Sequence, residues 1–203
     1  MKIIAIGRNY ADHAKELNNP LPSEPVVFMK PSTCIIKKNK PFFYPDFSSD
    51  IQHEVELVLK ISKVGKNIEE KFANRYFNQI GIGIDFTARD LQRIAKEKGL
   101  PWEKAKAFDG AAPLGRFLEK DQLADIGNIP FSLKINGMLV QEGNSRDMIF
   151  SFDQMIAYVS KFFSLQIGDL IFTGTPAGVG PVKIGDRLEA FIGEESLLDF
   201  KIK

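Results

Sequence analysis

Three carboxylates and one imidazole carry most of the chemistry this sequence offers. Glu54 and Glu56 lie in Gln52-His53-Glu54-Val55-Glu56-Leu57-Val58-Leu59, which reads as a strand. Side chains alternate along a strand, so both carboxylates share one face and Val55, Leu57 and Leu59 take the other. Adjacent unpaired carboxylates repel, and a divalent cation between them would remove the repulsion. Asp85 closes a second strand, Gln79 to Asp85, in which Ile80, Ile82 and Ile84 form one face. Gly81 and Gly83 lie on the other face with Asp85, and small residues there predict room for an ion and a ligand. Glu54, Glu56 and Asp85 are therefore candidate metal ligands, and an all-oxygen set favours a hard ion, Mg²⁺ or Mn²⁺. A Glu-x-Glu pair also suits the wet face of an edge strand. Asp85 at the end of a glycine-lined strand shifts the reading toward metal.

Other residues supply candidate acid–base and anion-binding groups. His13 and Glu16 are three apart on a short helix and share a face. A carboxylate beside an imidazole orients it and raises its basicity, which suits a water-activating base; a surface ion pair has the same spacing. Lys106 follows Trp102-Glu103-Lys104-Ala105, and its neighbours are more apolar than those of a typical surface lysine. A cation there would stabilise an enolate or a carboxylate. Arg89 and Gln92 share a face of the helix after Asp85 and would bind a carboxylate beside a metal, or simply face solvent. Thr173-Gly174-Thr175-Pro176-Ala177-Gly178-Val179-Gly180 is glycine-rich but lacks the Gly-Lys-Ser/Thr of a P-loop. Its backbone N–H groups and the Thr175 hydroxyl suit an anion such as a carboxylate, and a tight hairpin suits the sequence equally.

These groups need a frame. The chain has 203 residues, 44% hydrophobic and 26% charged, enough for one domain with a sizeable core spanning 1–203. The net charge of +1, with no basic block, argues against nucleic acid or a polybasic membrane surface as partner. Cys34 is the single cysteine, which excludes an internal disulfide and fits a reducing compartment. The apolar start Met1–Gly7 stops at Arg8, shorter than a signal segment, and no apolar run approaches a membrane span. A cytosolic protein is the expectation.

Strands are expected at Lys2–Ile6, Val26–Lys30, Gln52–Ile61 and around Gly81 and Gly83. Helices are expected at Tyr10–Leu17 with Asn9 as cap and Asn18-Asn19-Pro20 as stop, at Glu69–Asn78, from Thr87 to Lys98 with Thr87 and Asp90 as a capping box, and at Ser151–Phe163. Residues 37–50 read as loop or hairpin, and Asn136-Gly137 marks a hairpin turn. Ile167-Gly168-Asp169-Leu170 and Ile184-Gly185-Asp186-Arg187-Leu188 share turn chemistry without forming a repeat. Many short strands and few helices give a mainly β, α+β fold.

Taken in order, several motifs resemble one family. They are Gly7-Arg8-Asn9-Tyr10-Ala11-Asp12-His13 with Glu16, Phe28-Met29-Lys30-Pro31-Ser32, His53-Glu54-Val55-Glu56-Leu57, Asp85-Phe86-Thr87-Ala88-Arg89-Asp90 and Thr173 to Pro181. The chain resembles the fumarylacetoacetate hydrolase family over nearly its whole length, and most of all the short members that act on acylpyruvates and oxaloacetate. The resemblance implies a mixed β-sandwich roll, a Mg²⁺ or Mn²⁺ ion and a homodimer. It implies that Glu54, Glu56 and Asp85 hold the metal and that His13 and Glu16 form the catalytic dyad on a mobile lid helix. Lys106, Arg89, Gln92, Thr175 and Arg8 match positions around the substrate. The chain lacks the extra N-terminal domain and further acidic ligand of the fumarylacetoacetate-cleaving enzyme itself.

For such an enzyme the shared intermediate is a pyruvate-type enolate, stabilised by the metal and Lys106. Hydrolysis of an acylpyruvate to pyruvate and a carboxylic acid stands first. Oxaloacetate decarboxylation and a tautomerase reaction pass through the same enolate. A metal-stabilised binding protein without turnover is the reading from another class, and the His13–Glu16 pair speaks against it.

Overall fold

The computed structural model describes residues 1–16 and 20–203. Leu17, Asn18 and Asn19, the expected end and stop of the first helix, lie outside the described residues. The strands are β1 (Ile3–Gly7), β2 (Val26–Lys30), β3 (Ile35–Ile36), β4 (Ile51–His53), β5 (Val55–Ile61), β6 (Phe77–Ile84), β7 (Thr87–Ala88), β8 (Ala112–Glu119), β9 (Pro130–Ile135), β10 (Met138–Asn144), β11 (Leu170–Phe172), β12 (Gly180–Pro181), β13 (Arg187–Ile192) and β14 (Glu195–Lys201). The helices are α1 (Ala11–Glu16), α2 (Glu70–Ala73), α3 (Arg89–Lys98), α4 (Glu103–Lys106) and α5 (Phe152–Phe162).

A seven-stranded sheet runs β2-β1-β11-β5-β6-β8-β3, beside a four-stranded sheet β10-β9-β13-β14 and a small one β12-β4-β7. β1 runs parallel to β11 and β3 to β8, while the other pairs are antiparallel, so the large sheet is mixed. The four-stranded sheet packs on it through β14 against β8 and β13 against β6. Between them lies a core of Ile4, Leu57, Leu59, Ile82, Leu133, Ala190 and Leu198, all buried. Each of the leucines and isoleucines contributes roughly 1.5–3 kcal/mol by leaving water. This is the α+β, mainly β roll that the sequence predicts.

One end of the large sheet gathers the chemistry. β1 and β11 are parallel, so their C-terminal ends lie together, at Gly7 and Phe172. β5 runs antiparallel to both β11 and β6, so its first half lies at the same end, with Val58 opposite Phe172 and Val55 opposite Ile84. Arg8, Thr173, Glu54 and Asp85 each follow or precede those strand ends.

Several local expectations are corrected. Glu69–Asn78 is helical only over Glu70–Ala73, because Phe77 turns into the core and opens β6. Helix α3 starts at Arg89, with no side-chain cap on Ala88. Thr87 does not form a capping box; its hydroxyl donates to the Asp85 carbonyl, and Asp90 accepts from Ser48 and Ser49. Asn9 does not cap α1. Its buried amide donates to the carbonyls of Phe150 and Thr173 and accepts from the Phe150 N–H, joining β1 to the glycine-rich loop. The Asn136-Gly137 hairpin stands, with φ of 52° and 82° at the two turn residues. Helix α5 starts on Ser151, in a capping box with Gln154. The two Gly-Asp turns do share chemistry: Asp169 and Asp186 each accept from the backbone N–H three residues back.

Candidate active site

The strand predicted from Gln52 to Ile61 is broken at Glu54, between β4 and β5. The break does not separate the carboxylates. Glu54, Glu56 and Asp85 are all buried, and each offers an oxygen within 4.8 Å of the others. The space beside Asp85 is different from the expectation. A Cβ on Gly83 would lie 2.8 Å from the Phe172 ring, and one on Gly81 2.8 Å from the Phe117 ring. The strand glycines admit aromatic rings of neighbouring strands, not an ion.

Cations compensate two of the three carboxylates. Lys106 Nζ bridges Glu54 Oε2 at 2.6 Å and Asp85 Oδ2 at 2.8 Å. Arg89 Nη2 donates to Glu54 Oε1 at 2.6 Å, and its other nitrogens donate to Gln52 and Gln92. Lys30 Nζ lies 2.6 Å from Asp85 Oδ1 and donates to the Lys106 and Ala111 carbonyls. Glu56 has no cation partner among the described residues and accepts only the Gly174 N–H, at 2.7 Å.

The electrostatics follow from this division. Burial opposes ionisation of Glu54, but the Lys106 ammonium and then Arg89 more than offset it and hold the carboxyl well below its ordinary range. Burial, then the charges of Asp85 and Glu54, push Glu56 well above it. Burial disfavours the Lys106 ammonium, but Asp85 and Glu54 keep it charged, with its pKa raised. The cluster therefore includes a carboxyl, Glu56, that no side-chain cation pairs and that burial and its neighbours drive toward the neutral form. A hard divalent cation fits it: three converging oxygen donors, no nitrogen or sulfur, and a carboxylate no side-chain cation satisfies.

Helix α1 lies across the cleft. His13 is buried and Glu16 partly exposed, with Nδ1 and Oε2 3.2 Å apart. A carboxylate only accepts, so Nδ1 donates to Glu16 and Nε2 is the ring nitrogen left to exchange a proton with a ligand. Glu16 Oε1 also accepts the Gly178 N–H at 3.0 Å. The glycine-rich loop thus spends its N–H groups on protein carboxylates, Gly174 on Glu56 and Gly178 on Glu16, rather than on a free anion. Thr175 alone keeps a group toward the cleft.

The cleft is lined by Arg8, His13, Glu54, Glu56, Asp85, Arg89, Gln92, Lys106 and Thr175, all singled out from sequence, and Glu16 stands behind His13. Arg8 has φ of 59°, a left-handed conformation uncommon outside glycine, at the end of β1. Sequence reasoning missed Phe28, Trp102, Lys96 and Lys30. Phe28 and Trp102 form an aromatic wall with ring centroids 6.0 Å apart, and Lys106 lies over the Phe28 ring at 5.3 Å. Burial and then the neighbouring Arg8 charge lower the pKa of Lys96. The signal for Lys30 was available: a charged residue ending the otherwise apolar Val26–Met29.

The model of the fumarylacetoacetate (FAA) hydrolase C-terminal domain matches residues 2–201. This chain belongs to the fumarylacetoacetate hydrolase family. Among its relatives, the oxaloacetate tautomerase of Mus musculus is 44% identical over 201 residues, covering 99% of this chain and 91% of that protein. The oxaloacetate decarboxylase of Dictyostelium discoideum is 44% identical over 203 residues, covering 99% and 93%. Both relatives are named as mitochondrial, which gives the cytosolic expectation no support from them. Among solved structures of the family, a protein of Yersinia pestis superposes with a TM-score of 0.95 at 39% identity, covering 100% of this chain and 93% of that one. The fumarylpyruvate hydrolase of Pseudomonas aeruginosa, in complex with Mn²⁺ and pyruvate, gives 0.94 at 34% identity, covering 100% and 89%. Family members of this kind act as enzymes on small oxo acids. Among the described residues, no helix is long and apolar enough to cross a membrane.

Proposed function

We propose that this chain is a divalent-cation-dependent enzyme of small 2-oxo acids whose first reaction is keto–enol tautomerisation of oxaloacetate. The observation that carries it is a buried imidazole base, oriented by Glu16, facing three carboxylates of which one lacks a cation. The sequence reading ranks acylpyruvate cleavage first; we rank tautomerisation ahead of it, and the similarity to oxaloacetate-acting relatives supports that order.

Glu54, Glu56 and Asp85 would hold Mg²⁺ or Mn²⁺, as the Mn²⁺ complex of the fumarylpyruvate hydrolase suggests for a relative. The chemistry such a cation supplies when bound is electron withdrawal from the oxo acid, which acidifies its C3 proton. His13 Nε2 takes that proton, and the C3–H electrons form the C2=C3 bond while the C2 oxygen gains the charge. The Lys106 ammonium stabilises that oxygen, and its reprotonation gives the enol. Arg8, Arg89, Gln92 and Thr175 orient the carboxylates of the substrate. Lys106 bridges Glu54 and Asp85, and a cation held by those carboxylates would weaken that tie and free its donors for the substrate.

A second reading is hydrolysis of acylpyruvates to pyruvate and a carboxylic acid. The free His13 Nε2 favours it, because the same base can activate a water. One panel separates the readings: purified protein, chelated and then reloaded with Mg²⁺ or Mn²⁺, given keto and enol oxaloacetate and acetylpyruvate. Tautomerisation should be fastest, chelation should abolish it and either ion should restore it. Faster cleavage of acetylpyruvate would put hydrolysis first, and no turnover on the panel would sink the enzyme reading. The proposal includes one catalytic domain over residues 1–203, working as a homodimer.

A further inference from the structure

Gln141 lies outside the cleft, yet it decides which way a hydroxyl inside the cleft can point. It sits on β10 just after a register shift and is buried. Its Oε1 accepts the Val55 N–H at 3.0 Å and faces His53 Nδ1 at 2.8 Å. Its Nε2 faces the Pro176 carbonyl at 3.0 Å and Thr175 Oγ1 at 2.9 Å. A backbone N–H can only donate and a carbonyl can only accept, so Val55 and Pro176 fix the amide from both sides. Both flanking partners are then fixed in turn. His53 must present a proton on Nδ1. Thr175 Oγ1 must accept from Nε2, and its own proton cannot point back at Gln141. Among the described residues no protein acceptor takes that proton, and Thr175 lines the cleft.

We propose that Gln141 is a positioning residue that makes the Thr175 hydroxyl an obligate hydrogen-bond donor toward the carboxylate of the bound oxo acid. This rests on the oxo-acid reading above. A hydroxyl ordinarily donates or accepts as its surroundings require. Here the accepting role is taken by a buried amide that cannot flip without opposing Val55 N–H to N–H and Pro176 carbonyl to carbonyl. At Thr175 the cleft then offers an anion a donor and offers a ligand's own donor no acceptor, a selectivity set by a residue that does not itself line the cleft. The same amide joins the start of β5, which carries Glu56, to the loop that carries Thr175.

The test reads binding rather than turnover, with oxalate as the probe on Mg²⁺-loaded protein by calorimetry. Thr175→Val should weaken oxalate about 10-fold or more, the scale of a lost hydrogen bond to a charged group, while Thr175→Ser keeps it within about threefold. Gln141→Glu keeps acceptors for Val55 and His53 but turns the Thr175 proton inward. It should weaken oxalate at least as much as Thr175→Val does, measured at saturating Mg²⁺. The double variant should be no weaker than either single one, because both remove the same bond. Where Gln141→Glu does not fold, the wild-type protein still answers: the Thr175 hydroxyl proton should be slow to exchange by NMR only when oxalate is bound. Unchanged oxalate affinity in folded Gln141→Glu, additive losses in the double variant, or exchange indifferent to oxalate would each overturn the role of Gln141 alone. A wild-type protein that binds Mg²⁺ but no oxalate would overturn the oxo-acid reading and this proposal with it.

Discussion

The carboxylate floor and the helix that carries His13 differ in how they are tied to the rest of the molecule. At the floor, Glu54 and Asp85 are held by Lys106, Arg89 and Lys30, all at the ends of strands in the large sheet or on the helices beside it. On α1, only His13 and Ala14 are buried, and the contact of the helix with the glycine-rich loop is the Gly178 N–H to Glu16. Six residues are too few to be stable as an isolated helix. The difference teaches that this site stores its cost in one half. Charge buried at the floor is coupled to folding, whereas the base is mounted on an element whose loss leaves the core intact.

The sharpest way to break the comparison is within the floor itself. Glu54→Gln leaves Lys106 and Arg89 facing a neutral amide in a buried site, so it should cost about 3–5 kcal/mol of stability. Glu56→Gln replaces the carboxyl that no cation pairs and should leave the metal-free protein equally or more stable. Both should lose metal affinity. Urea unfolding of the metal-free proteins checks this, and equal losses would mean that the cations do not divide the two glutamates as the geometry indicates.

On the helix the expectation inverts. His13→Ala should slow tautomerisation or acylpyruvate cleavage ~100-fold, the scale of a lost general base, with little change in unfolding midpoint. Oxaloacetate decarboxylation should fall much less, since it needs no proton removed by His13. Lys106→Met should damage all three. If His13→Ala lowers decarboxylation as much as the others at full metal occupancy, His13 acts on the shared enolate rather than as the initial base.

A smaller effect sharpens the contrast in dynamics. Amides of α1 should exchange much faster than those of β5, and oxalate with Mg²⁺ should slow them. Equal protection of α1 with and without oxalate would remove the lid role expected of this helix.

The smallest effect lies far from the cleft and controls for the rest. Burial opposes the Asp169 carboxylate, but hydrogen bonds from Lys2 and Gln166 outweigh it and hold its pKa below the ordinary value. A depressed folded pKa gives stability that is present above the unfolded value of about 3.9 and is lost as pH falls through the folded one. Asp169→Asn should flatten the stability curve slightly below about pH 4 and leave turnover near neutrality unchanged. An altered rate at neutral pH would link this turn to the site.

Much of the cleft was written in the chain, because a Glu-x-Glu pair, a histidine with a glutamate three residues on and a threonine in a glycine-rich turn are short-range patterns. The alternation of Ile80, Ile82 and Ile84 and the amphipathic helix α5 were legible for the same reason: periodicity is local. What the local pattern could not carry was partnership. Gly81 and Gly83 read as room for an ion, but the rings that fill the space come from Phe117 and Phe172 on other strands. Thr87 and Asp90 had the spacing of a cap, yet Ser48 claims the aspartate from 42 residues away. Glu69–Asn78 had helical composition, and the burial of Phe77 against α5 overrode it. Glu54 and Glu56 are indistinguishable in sequence, and only the placement of Arg89 and of Lys106, 52 residues after Glu54, makes one an ion-paired carboxylate and leaves the other without a paired cation. Residue type and spacing determined which groups are present, and they act over a few residues. Burial and charge pairing act through space, so the tertiary structure alone decided what each of those groups faces.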